Sequence, residues 1–161
     1  MDGTSFSVDT SDVMKMAYNF EGGPKVAQRE LLRGMRLATE DTRAITRQGM
    51  PYASGLMQAK MPTKVRQEAN SISGRIDFTA KSPKGFPYPV AVNDGRGAIV
   101  PKTKKWLRFR GSDGSIVFTK YVKPFTGLRF AEKGLERSQG AINRAIDGAI
   151  DRITRYLGNA R

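Results

Sequence analysis

The stretch FAEKGLERSQGAINRAIDGAIDRITRYL, residues 130–157, decides the fold class. A step of three or four residues between apolar side chains places them on one face of an α-helix. The apolar residues of this stretch follow that step and are Leu135, Ile142, Ala145, Ile146, Ala149, Ile150, Ile153 and Leu157. The stretch therefore predicts a long amphipathic helix, and Gly158 is a natural stop for it.

A second long helix is predicted nearer the N-terminus, from Pro24 to about Arg47. Gly34 is the one helix-breaking residue within it, and Pro24 suits the first helical position because that position needs no backbone N–H. The stripe that repeats at helical spacing is Leu31, Met35, Ala38, Thr42 and Ile45. The chain therefore carries one long amphipathic helix toward each end.

Between these helices, alternation of apolar and polar residues predicts antiparallel strands. Residues 71–80 alternate in this way, and residues 4–9 form a shorter strand. Residues 105–110 and 116–122 are also strand-like, and the turn chemistry of Gly111-Ser112-Asp113-Gly114 between them predicts a hairpin. A period of two in the first hairpin strand gives two faces, one with Trp106, Arg108 and Arg110, the other with Lys105, Leu107 and Phe109.

For each of three segments, the sequence is compatible with two structural interpretations. Residues 56–61 fit either a strand or a short helical turn before Pro62, and residues 88–92 fit either a helical turn or an extended segment. The first 20 residues include a helix that begins at Thr10 or Ser11, and they are either an arm or part of the domain. Residues 82–89, with three prolines and a glycine, are predicted to be loop.

Together these elements predict an α+β fold, a central antiparallel sheet with a hairpin, flanked by two long amphipathic helices, one N-terminal and one C-terminal. The length of 161 residues suits one domain with a core. We expect residues 24–158 to form that domain. An N-terminal arm or short strand and helix at 1–23 precedes it, and a tail at 159–161 follows.

Composition limits the chemistry that the chain can perform. It has no cysteine and no histidine, which excludes disulfides, the common zinc sites and the Ser-His and Cys-His nucleophile pairs. Glu40 and Asp41, the one adjacent acidic pair, lie in an arginine-rich helix where we expect them to pair with Arg36, Arg43 or Arg47. We therefore predict no enzyme activity, no metal and no cofactor. We also expect no membrane span or signal peptide, and hence a soluble protein made in the cytoplasm.

The positive charge is concentrated in one part of the sequence. The whole chain has a formal net charge of +13, and residues 96–129 hold nine Lys or Arg residues against Asp113 alone, a net charge of +8. This charge favours contact with the phosphates of nucleic acid, independent of base sequence, although a solvated face that keeps the protein soluble is the alternative. The candidate DNA-facing residues are Arg96, Lys102, Lys104, Lys105, Arg108, Arg110, Lys120 and Lys123.

Four segments, taken in order, resemble one family. Tyr88-Pro89-Val90-Ala91-Val92-Asn93-Asp94-Gly95-Arg96 is similar to a segment of phage tail-component proteins in which a tyrosine and a small residue precede an acidic residue and glycine. Ile99-Val100-Pro101-Lys102, followed by Trp106-Leu107 and Phe109, is similar to the next segment of that family. Phe118 to Val122 and Gly127 to Ala131 correspond to a strand and to the turn entering the last helix. The long first helix, closed by Met50-Pro51 and Ser54-Gly55-Leu56, fits the family's lead-in. Over about residues 25–157 the chain therefore resembles the neck and tail-completion proteins of long-tailed, lambda-like phages.

The resemblance implies a structural subunit of the phage head–tail connector. Such subunits form a homo-oligomeric ring, for which we expect six copies, between portal-side adaptor or stopper proteins and the tail terminator or tail tube. Genomic DNA passes through the ring without sequence-specific contacts. The resemblance thus places the protein in the virion, at the head–tail joint, and in the host cytoplasm before assembly.

The hairpin and the loop at 82–89 are the elements expected to reach a neighbouring subunit or ring. The candidate interface residues are Phe86, Tyr88, Trp106, Phe118, Tyr121 and Phe125. Trp106 and Phe109 are alternatively stacking platforms for single strands. The competing function is a free-standing, non-specific nucleic-acid-binding protein, for which the same basic segment would be responsible.

Overall fold

Both long helices form, and they pack along each other. In this computed structural model, which describes residues 3–51, 55–82, 85–103, 105–110 and 113–159, helix α2 spans Gly23–Gln48 and helix α5 spans Phe130–Asn159. Pro24 lies in the first turn of α2, as its missing N–H favours. The α+β fold class is confirmed, with small antiparallel sheets added to this helical pair.

The remaining elements are short. The other helices are α1 (Ser11–Ala17), α3 (Leu56–Ala59) and α4 (Tyr88–Asp94). The strands are β1 (Gly3–Asp9), β2 (Thr63–Gln67), β3 (Ser71–Asp77), β4 (Gly95–Arg96), β5 (Leu107–Arg110), β6 (Ile116–Thr119) and β7 (Phe125–Thr126). Of the two interpretations for residues 56–61 and for residues 88–92, the helical one is therefore correct in each case.

The core lies where the apolar stripes of α2 and α5 meet. Leu31 and Met35 of α2 pack in one cluster with Ile146, Ile153 and Leu157 of α5. Most of the predicted α5 stripe is buried, while Leu135, Ala145 and Ile150 are half-buried at its margins. Burial of each such large side chain contributes about 1.5–3 kcal/mol, so this interface is the main source of stability.

Two glycines allow the long helices to approach closely. A Cβ at Gly34 of α2 would come within 2.9 Å of both the carbonyl oxygen of Ala145 and the Cβ of Ala149. A Cβ at Gly134 of α5 would overlap Thr46 Oγ1 and lie 2.8 Å from Thr46 Cβ. Real Cβ atoms do not make contacts this short, so glycine is required at both crossings.

A three-stranded antiparallel sheet with order β1-β3-β2 packs on the helical pair, mainly through β2 and β3 on α2. Gly74 of β3 sits directly against Thr39 and Met35 of α2, where a side chain would have no space. Strand β1 pairs with β3 along its whole length, from Gly3↔Asp77 to Asp9↔Ser71. The N-terminal residues from Gly3 onward thus belong to the same folded unit as the long helices.

A second apolar cluster lies at the other end of the helical pair. It contains Met50, Met57, Met61, Ile76, Ala80, Phe130 and Ala131. Phe78 packs edge-on against Phe130, with ring centroids 5.3 Å apart. This cluster joins the end of α2 and the start of α5 to α3. It therefore fixes the position at which the segment between α4 and α5 leaves the helical pair.

A carboxylate, Glu30 of α2, is held between the long helices. It is 7 % exposed and accepts hydrogen bonds from Arg152 Nε of α5 at 2.7 Å and from Arg29 Nε at 3.1 Å. The hydrogen bond from Arg152 is the main reason why the pKa of Glu30 lies below its usual value. The ion pair therefore links α2 to α5 in the charged state of Glu30.

We expect the Glu30→Gln variant to be less stable than the unaltered protein at neutral pH, with a difference that shrinks in acid. A carboxyl whose pKa is lowered by folding stabilises the fold above its unfolded-state pKa, and that contribution is lost as the pH falls through the folded-state pKa. The free energies of unfolding of the variant and of the unaltered protein are measured by urea denaturation. The measurement is made at neutral pH and again at a pH below 4.5, the ordinary pKa of this group. Glu136→Gln, on the exposed side of α5, is the matched control and should change neither value. An equal difference in stability at both pH values would show that the charge of Glu30 does not contribute to stability.

Candidate nucleic-acid and subunit interface

The segment from Asp94 to Arg129, called the arm below, has no core of its own. None of its described residues is buried, whereas both flanking helices carry buried residues. Many of its large apolar side chains are exposed, namely Ile99, Val100, Trp106, Phe109, Ile116, Phe118, Tyr121, Phe125 and Leu128. Exposed apolar surface of this extent is typical of a site that binds another molecule.

The two ends of the arm are joined at one point, called the root. Strands β4 and β7 pair there, with Gly95 opposite Thr126. Asn93, which is 3 % exposed, accepts the backbone N–H of Arg129 on its carbonyl oxygen and that of Ala131 on Oδ1, both at 2.9 Å. Gly127 lies so close to the backbone of Asn93 that it leaves no room for a Cβ. The root is therefore rigidly attached to the ends of α4 and α5.

Beyond the root, the arm continues as a hairpin. Ile99 and Val122 exchange two backbone hydrogen bonds of 3.0 and 2.9 Å, and further out β5 pairs with β6 in antiparallel register. At the tip, Asp113 accepts the N–H and the hydroxyl of Ser115, and the hydroxyl bond is the main cause of its lowered pKa. Gly111 and Ser112 of the predicted turn lie outside the described residues. The predicted hairpin is confirmed, with strands shorter than the sequence suggested.

One face of the hairpin combines cations with large apolar side chains. Residues directly opposite in an antiparallel pair lie on the same face. The register places Arg108 opposite Phe118 and Arg110 opposite Ile116. Next along the same face, Lys120 Nζ lies 4.7 Å from the centre of the Trp106 ring. We call this the cation–aromatic face, and its members are Trp106, Arg108, Arg110, Ile116, Phe118 and Lys120.

The opposite face of the hairpin carries no charge within its strands. Leu107 stands opposite Thr119, and Phe109 opposite Val117. Phe109 is 45 % exposed, and the other three are partly exposed. We call these four residues the apolar face. It offers an uncharged surface that suits contact with protein rather than with phosphates.

The predicted DNA-facing residues fall into two groups. Arg108, Arg110 and Lys120 lie together on the cation–aromatic face, whereas Arg96 at the root directs Nη1 at the carbonyl oxygen of Lys123, 3.4 Å away. Lys102, Lys105 and Lys123 are exposed elsewhere on the arm. Lys104 lies outside the described residues.

Tyr88 differs from the other predicted interface residues. It is half-buried, packs against the second apolar cluster, and its hydroxyl is enclosed without a hydrogen-bond partner among the described residues. Tyr88 therefore contributes to the packing of α4 against the second apolar cluster. The exposed members of the set are Phe86, Trp106, Phe118, Tyr121 and Phe125.

A second basic surface, on the three-stranded sheet, was missed by the sequence reasoning. It surrounds a concavity of about 570 Å³ whose lining residues are Lys64, Arg66, Glu68, Arg75, Phe6, Ser5, Ser7 and Ser73. Asp77 neutralises part of this charge by pairing with Lys64 Nζ at 2.9 Å and with Arg75. The alternation of residues 63–67 is the sequence signal for this surface.

The described residues form neither a metal-binding cluster nor a membrane-spanning helix. Within the described ranges, no three Asp or Glu side chains gather closely enough to hold a metal ion. No helix in that part of the chain has the length and apolar character needed to cross a membrane. Glu40 forms the expected pair with Arg43 and also accepts the hydroxyl of Thr63 at 2.7 Å. Glu40 of the acidic pair thus links α2 to β2.

Comparisons of the chain with protein families, with curated proteins and with solved structures find no match.

Proposed function

We propose that the chain is a non-catalytic structural subunit of a phage head–tail connector, a neck or tail-completion ring that surrounds the DNA channel. The observation that carries this proposal is the arm, which combines exposed apolar side chains, a net charge of +8 over residues 96–129 and no buried residue among those that the structure describes. A segment of this kind gains stability by packing against a partner, and a ring supplies that partner as a neighbouring copy.

The apolar face of the hairpin is the part proposed to touch the neighbouring copy. Phe109 at its centre is a large aromatic with nearly half of its surface exposed, and aromatic residues of this kind commonly dominate interfaces. Burial of such a side chain contributes about 1.5–3 kcal/mol. Repetition of the same contact around a closed ring, with six copies expected, makes it strong.

The cations of the arm are proposed to line the DNA channel. A ring multiplies the charge of each arm by its copy number, and neutralised phosphates release counterions without any reading of base sequence. Two of the segments that resemble phage tail-completion proteins, around Asn93 and around Gly127, meet at the root of the arm. The other proposed partners are portal-side adaptor or stopper proteins and the tail terminator or tail tube. The protein would lie in the virion, and in the host cytoplasm before assembly.

Cryo-electron microscopy of the intact particle, focused on the head–tail joint, tests this proposal. We expect this chain to trace as a closed ring with its arms between neighbouring subunits and its basic residues toward the lumen. Mass spectrometry of purified particles is the simpler control, since a structural subunit must be present in them. A joint built entirely of other chains would refute the proposal.

The cations of the hairpin also favour a second candidate, a free-standing protein that binds nucleic acid without sequence preference. The side chains of Arg108 and Arg110 have no ion-pair or hydrogen-bond partner among the described residues. The lone subunit would then bind at micromolar or tighter concentrations with a steep salt dependence, whereas a connector subunit gains its affinity from the assembled ring. A salt titration of the isolated chain separates the two candidates.

A further inference from the structure

We infer that the cation–aromatic face of the hairpin is a binding site for unpaired nucleotides, so that single-stranded nucleic acid is its ligand. This goes beyond the proposed connector function, which requires only contacts with the phosphates of a duplex. The inference rests on the composition of the face, on the spacing along it and on its unpaired cations.

The composition of the face repeats one combination three times. Each cross-strand pair joins a cation to a large apolar side chain: Lys120 with Trp106, Arg108 with Phe118, and Arg110 with Ile116. Trp106 is 46 % exposed and Phe118 is 61 % exposed, so ring surface is open to solvent. Exposed aromatic rings beside cations are the arrangement that stacks on bases and neutralises the adjoining phosphates.

The spacing along the face fits an extended strand. Successive pairs are two residues apart, which in a β-strand corresponds to about 6.8 Å. This is about twice the 3.4 Å between stacked bases of a duplex. Neighbouring pairs therefore match nucleotides that have been pulled apart, as they can be in a single strand, more closely than the continuous stack of a double helix.

The cations of the face are not neutralised from within the arm. The arm has two carboxylates: Asp94 at the root accepts the side-chain N–H of Asn93, and Asp113 at the tip accepts the N–H and hydroxyl of Ser115. The side chains of Arg108 and Arg110 have no ion-pair or hydrogen-bond partner in the described part of the chain. Their charge is thus available to an external anion at the same place as the exposed rings.

A duplex is the competing ligand. A two-stranded ribbon can enter the major groove, and the two arginines would then reach base edges. In a duplex, however, each base is stacked on both sides and only its edge is accessible. Trp106 and Phe118 would then have no ring surface to pack on. The two exposed rings therefore favour unpaired bases.

The chain contains one tryptophan, and it lies on this face, so its fluorescence reports directly on stacking. We expect a short oligothymidylate to quench most of the Trp106 emission of the isolated full-length chain at low salt. A duplex of equal length and inorganic polyphosphate should bind through charge and quench little. Equal quenching by all three, or binding of the oligothymidylate without quenching, would overturn the inference.

Two alanine variants in the same hairpin locate the site. Phe118→Ala should weaken oligothymidylate binding by about tenfold, within the range for loss of one base-stacking contact. Phe109→Ala removes an exposed ring from the apolar face and should leave that affinity unchanged. If the two variants weaken oligothymidylate binding equally, the inference that the cation–aromatic face rather than the apolar face binds nucleotides is refuted. Because Phe109 and Phe118 are both exposed, neither substitution should unfold the domain, which circular dichroism checks.

Salt provides an independent measure of the same site. Engagement of Arg108, Arg110 and Lys120 corresponds to a slope of about −2 in a plot of log K against log salt concentration for a single strand. A slope much steeper than this would show that the whole arm binds as an unstructured polycation. These measurements use the isolated chain, so failure of the connector proposal would leave them standing, and the reverse also holds.

Discussion

Substitution of Gly134 by alanine is expected to lower the free energy of unfolding by up to about 2 kcal/mol. Alanine favours a helix by about 1 kcal/mol over glycine, yet a Cβ at this position would overlap Thr46 Oγ1 and lie 2.9 Å from Thr46 Cα. Thr46 is fully buried in α2, so relief requires separation of the two long helices. Overpacking of a tight interface typically costs about 1–3 kcal/mol, occasionally more.

Gly140 is the matched control because it lies in the same helix. A Cβ there would meet Arg144 Nη1 at 3.6 Å, an ordinary contact, and the position is exposed. Gly140→Ala should therefore raise the stability by about 0.5–1 kcal/mol through helix propensity. Urea denaturation of both variants gives the comparison. If both substitutions stabilise the protein, the close approach of α2 and α5 at Gly134 does not exist in solution.

The second large effect is expected on assembly. Phe109→Glu places a charge at the centre of the apolar face, which the connector proposal buries against a neighbouring copy. Loss of a central aromatic contact costs about 2–4 kcal/mol per interface, equivalent to a decrease of about 30- to 1,000-fold in the association constant. We expect the variant to remain folded but to fail to form rings, and particles made with it to have unjoined heads and tails.

Phe118→Glu introduces the same charge on the opposite face of the same hairpin. It should leave ring formation intact, because that face is proposed to meet nucleic acid rather than protein. Sedimentation of each variant and electron microscopy of the particles measure the outcome. Rings that survive Phe109→Glu but not Phe118→Glu would reverse the assignment of the two faces, and survival of both would remove the hairpin from the interface.

The helical part of the fold was predictable because its signal is periodic and long. The apolar stripe from Leu135 to Leu157 extends over about six helical turns at 3.6 residues per turn, and Gly158 follows at its end. The faces of the first hairpin strand were also predictable, since alternation places Arg108 and Phe109 on opposite sides. These features depend on local sequence alone.

The rest depended on pairing between distant residues. The position of Phe118 beside Arg108 is set by the register of β5 and β6, and the turn residues made a hairpin plausible without fixing that register. Strand β2 is five residues long and lies beyond Pro62, too short for its alternation to stand out from its surroundings. Tyr88 belongs to a segment that fits two conformations from sequence alone. In the observed helical conformation, its ring packs against the second apolar cluster.

The way in which the root holds the arm affects which parts of the sequence can change during evolution. Since Asn93 and Gly127 hold both ends of the arm at one place, a change within the arm need not move the helices to which those ends are attached. Doubling the length of a loop closed at a fixed point costs only about 0.6 kcal/mol. The arm can thus lengthen, shorten or change its side chains during evolution while the body stays the same. Descendants of one ancestor could then fit differently sized neighbours by exchange of this single insertion.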